Sequence, residues 1–210
     1  MKTIRTILAL ALVVSLQYGF AQVSTSIKGT SHDLSGASWN TNADLCDVCH
    51  TPHNSNTTVA TAPLWDHQLT TFTGYQAYTS GTLDAGTLGD PDGISKLCLS
   101  CHDGTVALEN YGSVTTGVTK LTVDSVGYVG TDLRNDHPVS FTYDAALVTA
   151  DGGLHPITAT SNLVGTIEED LLSAGKVQCS SCHDPHNNEF GSFLIMTNAS
   201  SKLCLTCHDK

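Results

Sequence analysis

The stretch Cys46-Asp47-Val48-Cys49-His50 sets the pattern of this 210-residue chain. Two cysteines separated by two residues, and followed at once by a histidine, occur four times. The other three copies are Cys98-Leu99-Ser100-Cys101-His102, Cys179-Ser180-Ser181-Cys182-His183 and Cys204-Leu205-Thr206-Cys207-His208. The four copies contain all 8 cysteines of the chain, so a single chemistry has to account for every thiol.

The order C-x-x-C-H is the attachment sequence of c-type haem. Residues i and i+3 of a short helical turn face the same way, so both sulfurs can form thioethers with the two haem vinyl groups. The next residue then brings an imidazole under the iron as the proximal ligand. We therefore predict four haem c groups. Their attachment residues are Cys46, Cys49, Cys98, Cys101, Cys179, Cys182, Cys204 and Cys207, and their proximal ligands are His50, His102, His183 and His208.

Disulfides and zinc are the alternative uses of paired cysteines. Disulfides are the default in an exported protein, but they do not require a histidine after every second cysteine. Zinc ribbons use paired C-x-x-C knuckles, yet the four adjacent histidines would then have no role. The repetition of the complete motif favours haem over both alternatives.

The composition agrees with a cofactor inside the fold. With 5 Phe, 6 Tyr and 2 Trp, and only 14% charged residues, the chain is poor in large core side chains and in surface charge. Four haems would supply the missing apolar core. The net charge of -11 argues against nucleic acid as a partner, because binding to phosphates needs a basic surface.

Residues 1–21 are typical of a secretory signal peptide. Lys2 and Arg5 form its positive start, residues 7–16 are almost wholly apolar, and Gly19-Phe20-Ala21 ends it in a small-x-small pattern. The alternative is an N-terminal membrane anchor, but this apolar run is too short to cross a bilayer. No later stretch is long and apolar enough to do so, and we therefore expect no membrane span in the mature chain, residues 22–210. We predict a secreted protein at the cell surface or outside the cell, with the periplasm as the alternative.

The motifs are duplicated in the order A-B-A-B. Residues 46–54 and 179–187 both read C-x-x-C-H-x-P-H-N, and residues 95–103 and 201–209 differ at one position. This duplication predicts one domain with two haem pairs, at 46–103 and 179–209, and a Thr/Val/Gly-rich connector at 104–178. Because the two motifs lie much farther apart in the first pair, residues 56–94 are interpreted as largely an insertion.

The predicted fold is mostly irregular, with short α-helices at the haem motifs and a few short β-strands around a stack of haems. Partial alternation of apolar and polar residues predicts strands at 118–123 and 139–143. Residues 163–174 are predicted to form one helix.

Six further histidines are candidates for the distal iron ligands: His53, His186, His137, His32, His67 and, as the weakest candidate, His155. His53 and His186 each follow a proximal histidine by three residues, with a proline between. We expect His53 to reach the haem on Cys98 and Cys101, and His186 to reach the haem on Cys204 and Cys207.

The other four candidates are less constrained by the sequence. His137 follows a polar turn and enters a predicted strand, and His67 lies close to a tryptophan. His32 is near the mature N terminus and is open to a haem of its own chain or of another. His155 is expected at the surface, and Met196 is expected in the core because histidines are in surplus.

Taken together, the stretches C-x-x-C-H-T-P-H-N, S-K-L-C-L-S-C-H-D-G, N-D-H-P-V-S-F and C-x-x-C-H-D-P-H resemble multihaem cytochromes c with doubled C-x-x-C-H motifs. The tetrahaem size, the signal peptide and the early Ser31-His32-Asp33 are similar to OmcE-type subunits of extracellular cytochrome filaments. This resemblance implies an unbroken haem stack in which an N-terminal histidine ligates a haem of the next subunit. By position, His32 would take that role toward the haem on Cys179 and Cys182, although the surplus histidines leave ligation within one chain open.

Ligation of every iron by two imidazoles predicts electron transfer and no enzyme activity, because no coordination position is left for a substrate. Each proximal imidazole is expected to donate its second N–H to a backbone carbonyl. The partners expected are other copies of the chain and redox proteins or extracellular acceptors. The alternative is a monomeric periplasmic shuttle to a reductase or an outer-membrane conduit, steered by its acidic surface to a basic partner.

Overall fold

The computed structural model describes residues 27–209, so the predicted signal peptide lies outside the described residues. Regular secondary structure is scarce, which confirms the mostly irregular fold. The helices are α1 (Gly93–His102), α2 (Ala145–Asp151), α3 (Ile167–Leu171) and α4 (Cys204–Cys207). Short 3-10 turns occur at Leu34–Gly36, Cys179–Ser181 and Ala199–Ser201.

Two short strands form the sheet. β1 (Phe141–Thr142) and β2 (Lys176–Val177) run antiparallel, with Phe141 opposite Val177. The strand predicted at 139–143 is therefore present in a shortened form. The strand predicted at 118–123 is wrong, because this segment is irregular and no strand of the described part pairs with it. An alternating pattern forms a strand only where a neighbour takes up its backbone hydrogen bonds.

The helix predicted at 163–174 is reduced to α3. Thr166 caps its start: the side chain of Thr166 accepts a hydrogen bond from the amide of Glu169, and the Glu169 side chain accepts one from the amide of Thr166. Leu172 has an extended backbone and ends the helix. Ile167 and Leu171 lie four residues apart on one face, and both are buried.

All four C-x-x-C-H motifs share one turn of helical hydrogen bonding, although only two coincide with an assigned α-helix. The second motif ends α1 and the fourth forms α4, whereas the third has a 3-10 turn and the first has turns only. In the first, third and fourth motifs the histidine amide donates to the carbonyl of the first cysteine, at 2.9, 3.1 and 3.0 Å. This is the i to i−4 bond of an α-helix, so both cysteines of a motif face one side.

The main hydrophobic cluster lies in the connector between the first two and the last two C-x-x-C-H motifs. It consists of Tyr143, Leu147, Ile167, Leu171 and Val177. The hydroxyl of Tyr143 donates to the carbonyl of His155 at 2.7 Å and so ties this cluster to the chain next to the fourth motif. No helix within residues 27–209 has the length and apolar character to cross a membrane.

Candidate haem-binding site

Three of the four C-x-x-C-H histidines pair with a returning strand-like segment in the same way. His50 pairs with Trp65, His183 with Leu194 and His208 with Leu154, each as an isolated antiparallel bridge. In every case the backbone amide of the residue after the histidine donates a hydrogen bond to the carbonyl of the residue before the bridge partner. The backbone amide of the residue after the bridge partner donates to the carbonyl of the second cysteine of the motif. The N–O distances of all these bonds are 2.8–3.0 Å. We call this arrangement the histidine bridge; it fixes the backbone beneath each imidazole.

The histidine bridge also supplies the hydrogen bond that orients the ring. Nδ1 of His50 donates to the carbonyl of Pro63 at 2.7 Å, and Nδ1 of His183 donates to that of Ser192 at 2.8 Å. Each acceptor lies two residues before the bridge partner. Because a carbonyl oxygen only accepts, Nδ1 carries the proton and Nε2 keeps its lone pair for a metal.

His102 reaches the same state through a longer loop. The amides of Val129 and Gly130 donate to its carbonyl, and its Nδ1 donates to the carbonyl of Gly127 at 2.6 Å. The expected Nδ1–carbonyl bond is thus confirmed for His50, His102 and His183. The three acceptors, Pro63, Gly127 and Ser192, were not predicted, since each is a backbone group whose position depends on the path of a loop.

Three of the C-x-x-C-H histidines have the ring of another histidine nearby. The ring centroids are 5.9 Å apart for His102 and His32, 6.0 Å for His50 and His186, and 6.3 Å for His208 and His137. Two imidazoles bound to one metal have centroids about 6 Å apart, because each metal–nitrogen bond is about 2 Å long. The separation of the three pairs is therefore that of two histidines that would hold one haem iron between them.

The protonation state of His32 also fits a ligand. Burial, together with the nearby rings of His102 and His186, lowers the pKa of His32 to about 4. The imidazole is therefore neutral at physiological pH, as a metal ligand has to be. Its ring also lies 4.4 Å from that of Phe193, which helps to hold it beside His102.

Two expected pairings differ from this geometry. The sequence predicts that His186 reaches the second pair, but its ring faces His50 of the first motif. The carboxylate of Asp184 accepts hydrogen bonds from both the amide and Nδ1 of His186, at 2.9 and 3.2 Å. This turn holds the ring away from its own pair. His53 is expected at the haem of Cys98, but the ring that faces His102 belongs to His32.

The remaining candidates lie elsewhere. His67 is buried 3.5 Å from Sγ of Cys101, but its two ring nitrogens lie 2.9 Å from the carbonyl of Gln68 and 3.1 Å from that of Ala107, so both nitrogens are engaged by the backbone. His53 is exposed, and within residues 27–209 no histidine ring faces His183. His155 is half-buried, and Met196 is buried beside Thr206, as expected for a core residue.

The cysteine side chains of successive motifs are neighbours in space. None of them forms a disulfide, and their neighbours follow the order of the motifs: Cys49 is near Cys101, Cys98 is near Cys179, and Cys182 is near Cys204 and Cys207. The attachment edges of the four motifs therefore form one continuous series. Burial raises the pKa of Cys49 and of Cys207 to about 11, so these thiols are protonated at neutral pH.

Residues 172–210 match the family model described as a doubled CXXCH motif. No curated protein matches the chain. The match supports a multihaem c-type cytochrome. It covers the third and fourth motifs, and the first two motifs repeat the same pattern outside it. Covalently bound c-type haem is thus indicated both by these motifs and by the geometry of their histidines.

Proposed function

We propose that the chain binds four haems c and transfers electrons among them. The observation that carries this proposal is the set of three facing histidine pairs, each at the spacing of two axial ligands. When bound, each haem supplies one-electron exchange between ferric and ferrous iron. The protein holds the rings by the Nδ1 bonds of the proximal histidines, which favour low potentials. An iron with two histidines offers no position to a substrate, so we propose no enzyme activity.

We further propose that the protein acts as the subunit of an extracellular polymer. The support comes from the duplication. His32 precedes the first pair of motifs, and its ring lies beside that of His102 in the second motif of that pair. In the same way, His137 precedes the second pair, and its ring lies beside that of His208. His186 of the second A motif faces His50 of the first. If the two A motifs are related in the same way between subunits, His53 of one subunit would ligate the haem iron held by His183 of another.

The exposure of the remaining groups agrees with this joint. His53 and His183 are both exposed. Cys98 contacts Cys179 where the first pair meets the second, and the equivalent residues for a further junction are Cys204 and Cys46. These two are the exposed cysteines, whereas the other six are partly covered. The joint residue implied by the family resemblance, His32, is already used beside His102, so we assign the joint to His53.

The test compares His53→Ala with His32→Ala in the haem-loaded, secreted protein. We expect His53→Ala to abolish polymers in negative-stain electron microscopy and to leave the spectrum of the isolated subunit unchanged. His32→Ala should convert one haem to the high-spin form in the isolated subunit. Polymers of His53→Ala with an unchanged low-spin spectrum would refute the joint. A purified chain with fewer than four haems by mass would refute the haem count.

A monomeric periplasmic shuttle remains the second candidate function, and its support is charge. Without Lys2 and Arg5 the chain has 7 basic and 20 acidic residues, a net charge near -13. Such a surface steers a mobile protein toward a basic partner and opposes self-association at low salt. Monodisperse particles at high protein concentration and high salt would favour the shuttle over the polymer.

A further inference from the structure

Two buried side chains connect the first haem pair to the second. Ser95 is the third residue of α1 and lies three residues before the attachment residue Cys98. Gln178 directly precedes Cys179 and the 3-10 turn that contains it. Ser95 is 0% exposed and Gln178 is 2% exposed, so their contacts are shielded from water.

The two residues exchange hydrogen bonds between the motifs. The amide of Ser95 donates to Oε1 of Gln178 at 2.9 Å, and the amide of Cys179 donates to Oγ of Ser95 at 3.0 Å. The amides in the first turn of a helix have no partner within the helix. Gln178 thus accepts a hydrogen bond from a free amide in the first turn of α1. Ser95 in turn accepts one from the backbone amide of Cys179, the first attachment residue of the next motif. We call this reciprocal pair the Ser95–Gln178 clip.

The side chain of Gln178 is held in one position from several sides. Its Nε2 donates to Asp92 at 3.1 Å, and Ser140 donates to its Oε1 at 3.3 Å. Gly93 packs against it with a φ of +51°, and a Cβ at that residue would lie 3.0 Å from Nε2. A glycine is therefore required there by both the backbone conformation and the approach of Gln178. Because buried polar groups are costly to leave unpaired, the clip resists sliding of one motif past the other.

The clip lies where the second and third motifs, far apart along the chain, are neighbours in space. Cys98 and Cys179 belong to different motifs, and their side chains are neighbours beside the clip. The haems attached there would have neighbouring edges, and electron tunnelling slows steeply as such edges separate. We propose that Ser95 and Gln178 are positioning residues for electron transfer between the two haem pairs. This inference rests on the proposed electron-transfer function and adds to it the residues that set one of its steps.

The duplication supplies a matched control. Ser201 occupies the position of Ser95 in the second B motif, and Leu45 occupies that of Gln178 before the first A motif. Ser201 is exposed, and its amide donates within its own turn to the carbonyl of Asn198 at 3.0 Å. Ser201→Ala therefore makes the same chemical change without touching the junction between the second and third motifs.

The experiment measures electron exchange in partly reduced holoprotein by nuclear magnetic resonance exchange spectroscopy of the haem methyl groups. It uses the His53→Ala background, in which transfer within one subunit is observed. Haem content and the ferric spectrum are recorded first, so a chain that lacks haems, which would refute the proposed function, is identified separately. The variants compared are Ser95→Ala, Gln178→Ala and Ser201→Ala.

We expect Ser95→Ala and Gln178→Ala to slow exchange between the haems of His102 and His183 several-fold. Exchange between the haems of His50 and His102, inside the first pair, should keep its rate, which a general loss of structure would not allow. Ser201→Ala should leave both rates unchanged. If Gln178→Ala does not fold, Gln178→Glu keeps the acceptor for Ser95 and loses the donor to Asp92, and it should also slow the step. Unchanged exchange between the pairs in both clip variants, or equal slowing by Ser201→Ala, overturns the proposal.

Discussion

At the scale of single residues, we propose three different roles for imidazole side chains, which their surroundings distinguish. His50 has a carbonyl on Nδ1 and a second ring opposite it, as a ligand requires. His67 is also neutral, because burial lowers its pKa, but both of its nitrogens face carbonyls. His53 is exposed and is free to meet another molecule. Spacing along the chain does not separate these cases.

Replacing His67 tests whether it is structural. We expect His67→Ala to keep all haems low-spin and to lower the free energy of unfolding by about 2 kcal/mol, because it removes a buried hydrogen bond. The comparison is His137→Ala, which should convert the haem of His208 to the high-spin form. Absorption spectra and urea titrations measure both effects. A high-spin haem in His67→Ala, with unchanged stability, would make His67 a ligand.

At the scale of elements, loops contribute more of the groups that surround the C-x-x-C-H histidines than helices do. The loop after the second motif brings Gly127 to the ring of His102, although the loop itself is largely exposed and lacks regular structure. Gly127 has a φ of +80°, and a Cβ there would lie 3.2 Å from Cε1 and 3.4 Å from Nδ1 of His102. The glycine is therefore needed for the approach of the carbonyl to the proximal ligand.

Gly127→Ala should raise the reduction potential of one haem. The added methyl group displaces the carbonyl from Nδ1 of His102, and a weaker hydrogen bond makes the imidazole a poorer donor to ferric iron. The control is Gly112→Ala, since Gly112 also has a positive φ, +60°, but a Cβ there would meet no atom within 4 Å. Spectroelectrochemical titration measures the potentials. An equal change in the control would assign the effect to backbone strain instead.

At the scale of the whole molecule, the core of side chains is small for the length of the chain. The cluster around Tyr143 and Ile167 lies in the connector, and much of the remaining chain is turns and irregular backbone. Ordering such a chain costs conformational entropy along its whole length. Haem faces between the motifs would provide the apolar contacts that offset this cost.

Removal of the haems should therefore abolish cooperative folding. We expect the chain produced without haem attachment, with its eight cysteines changed to alanine, to show weak near-ultraviolet circular dichroism and no sigmoidal urea transition. The haem-loaded protein measured in parallel should show a single sharp transition. A cooperative transition in the haem-free chain would mean that side-chain packing alone stabilises the fold.

The sequence by itself predicted covalent haem at the C-x-x-C-H motifs and proposed their histidines as proximal ligands, because this chemistry is contained within five consecutive residues. It also predicted the irregular fold and the Nδ1 bonds to carbonyls. Only the tertiary structure decided that His32 faces His102, that His186 faces His50, and that residues 118–123 form no strand. These outcomes depend on the paths of loops tens of residues long and on which backbone groups find partners. Neither is encoded in local spacing.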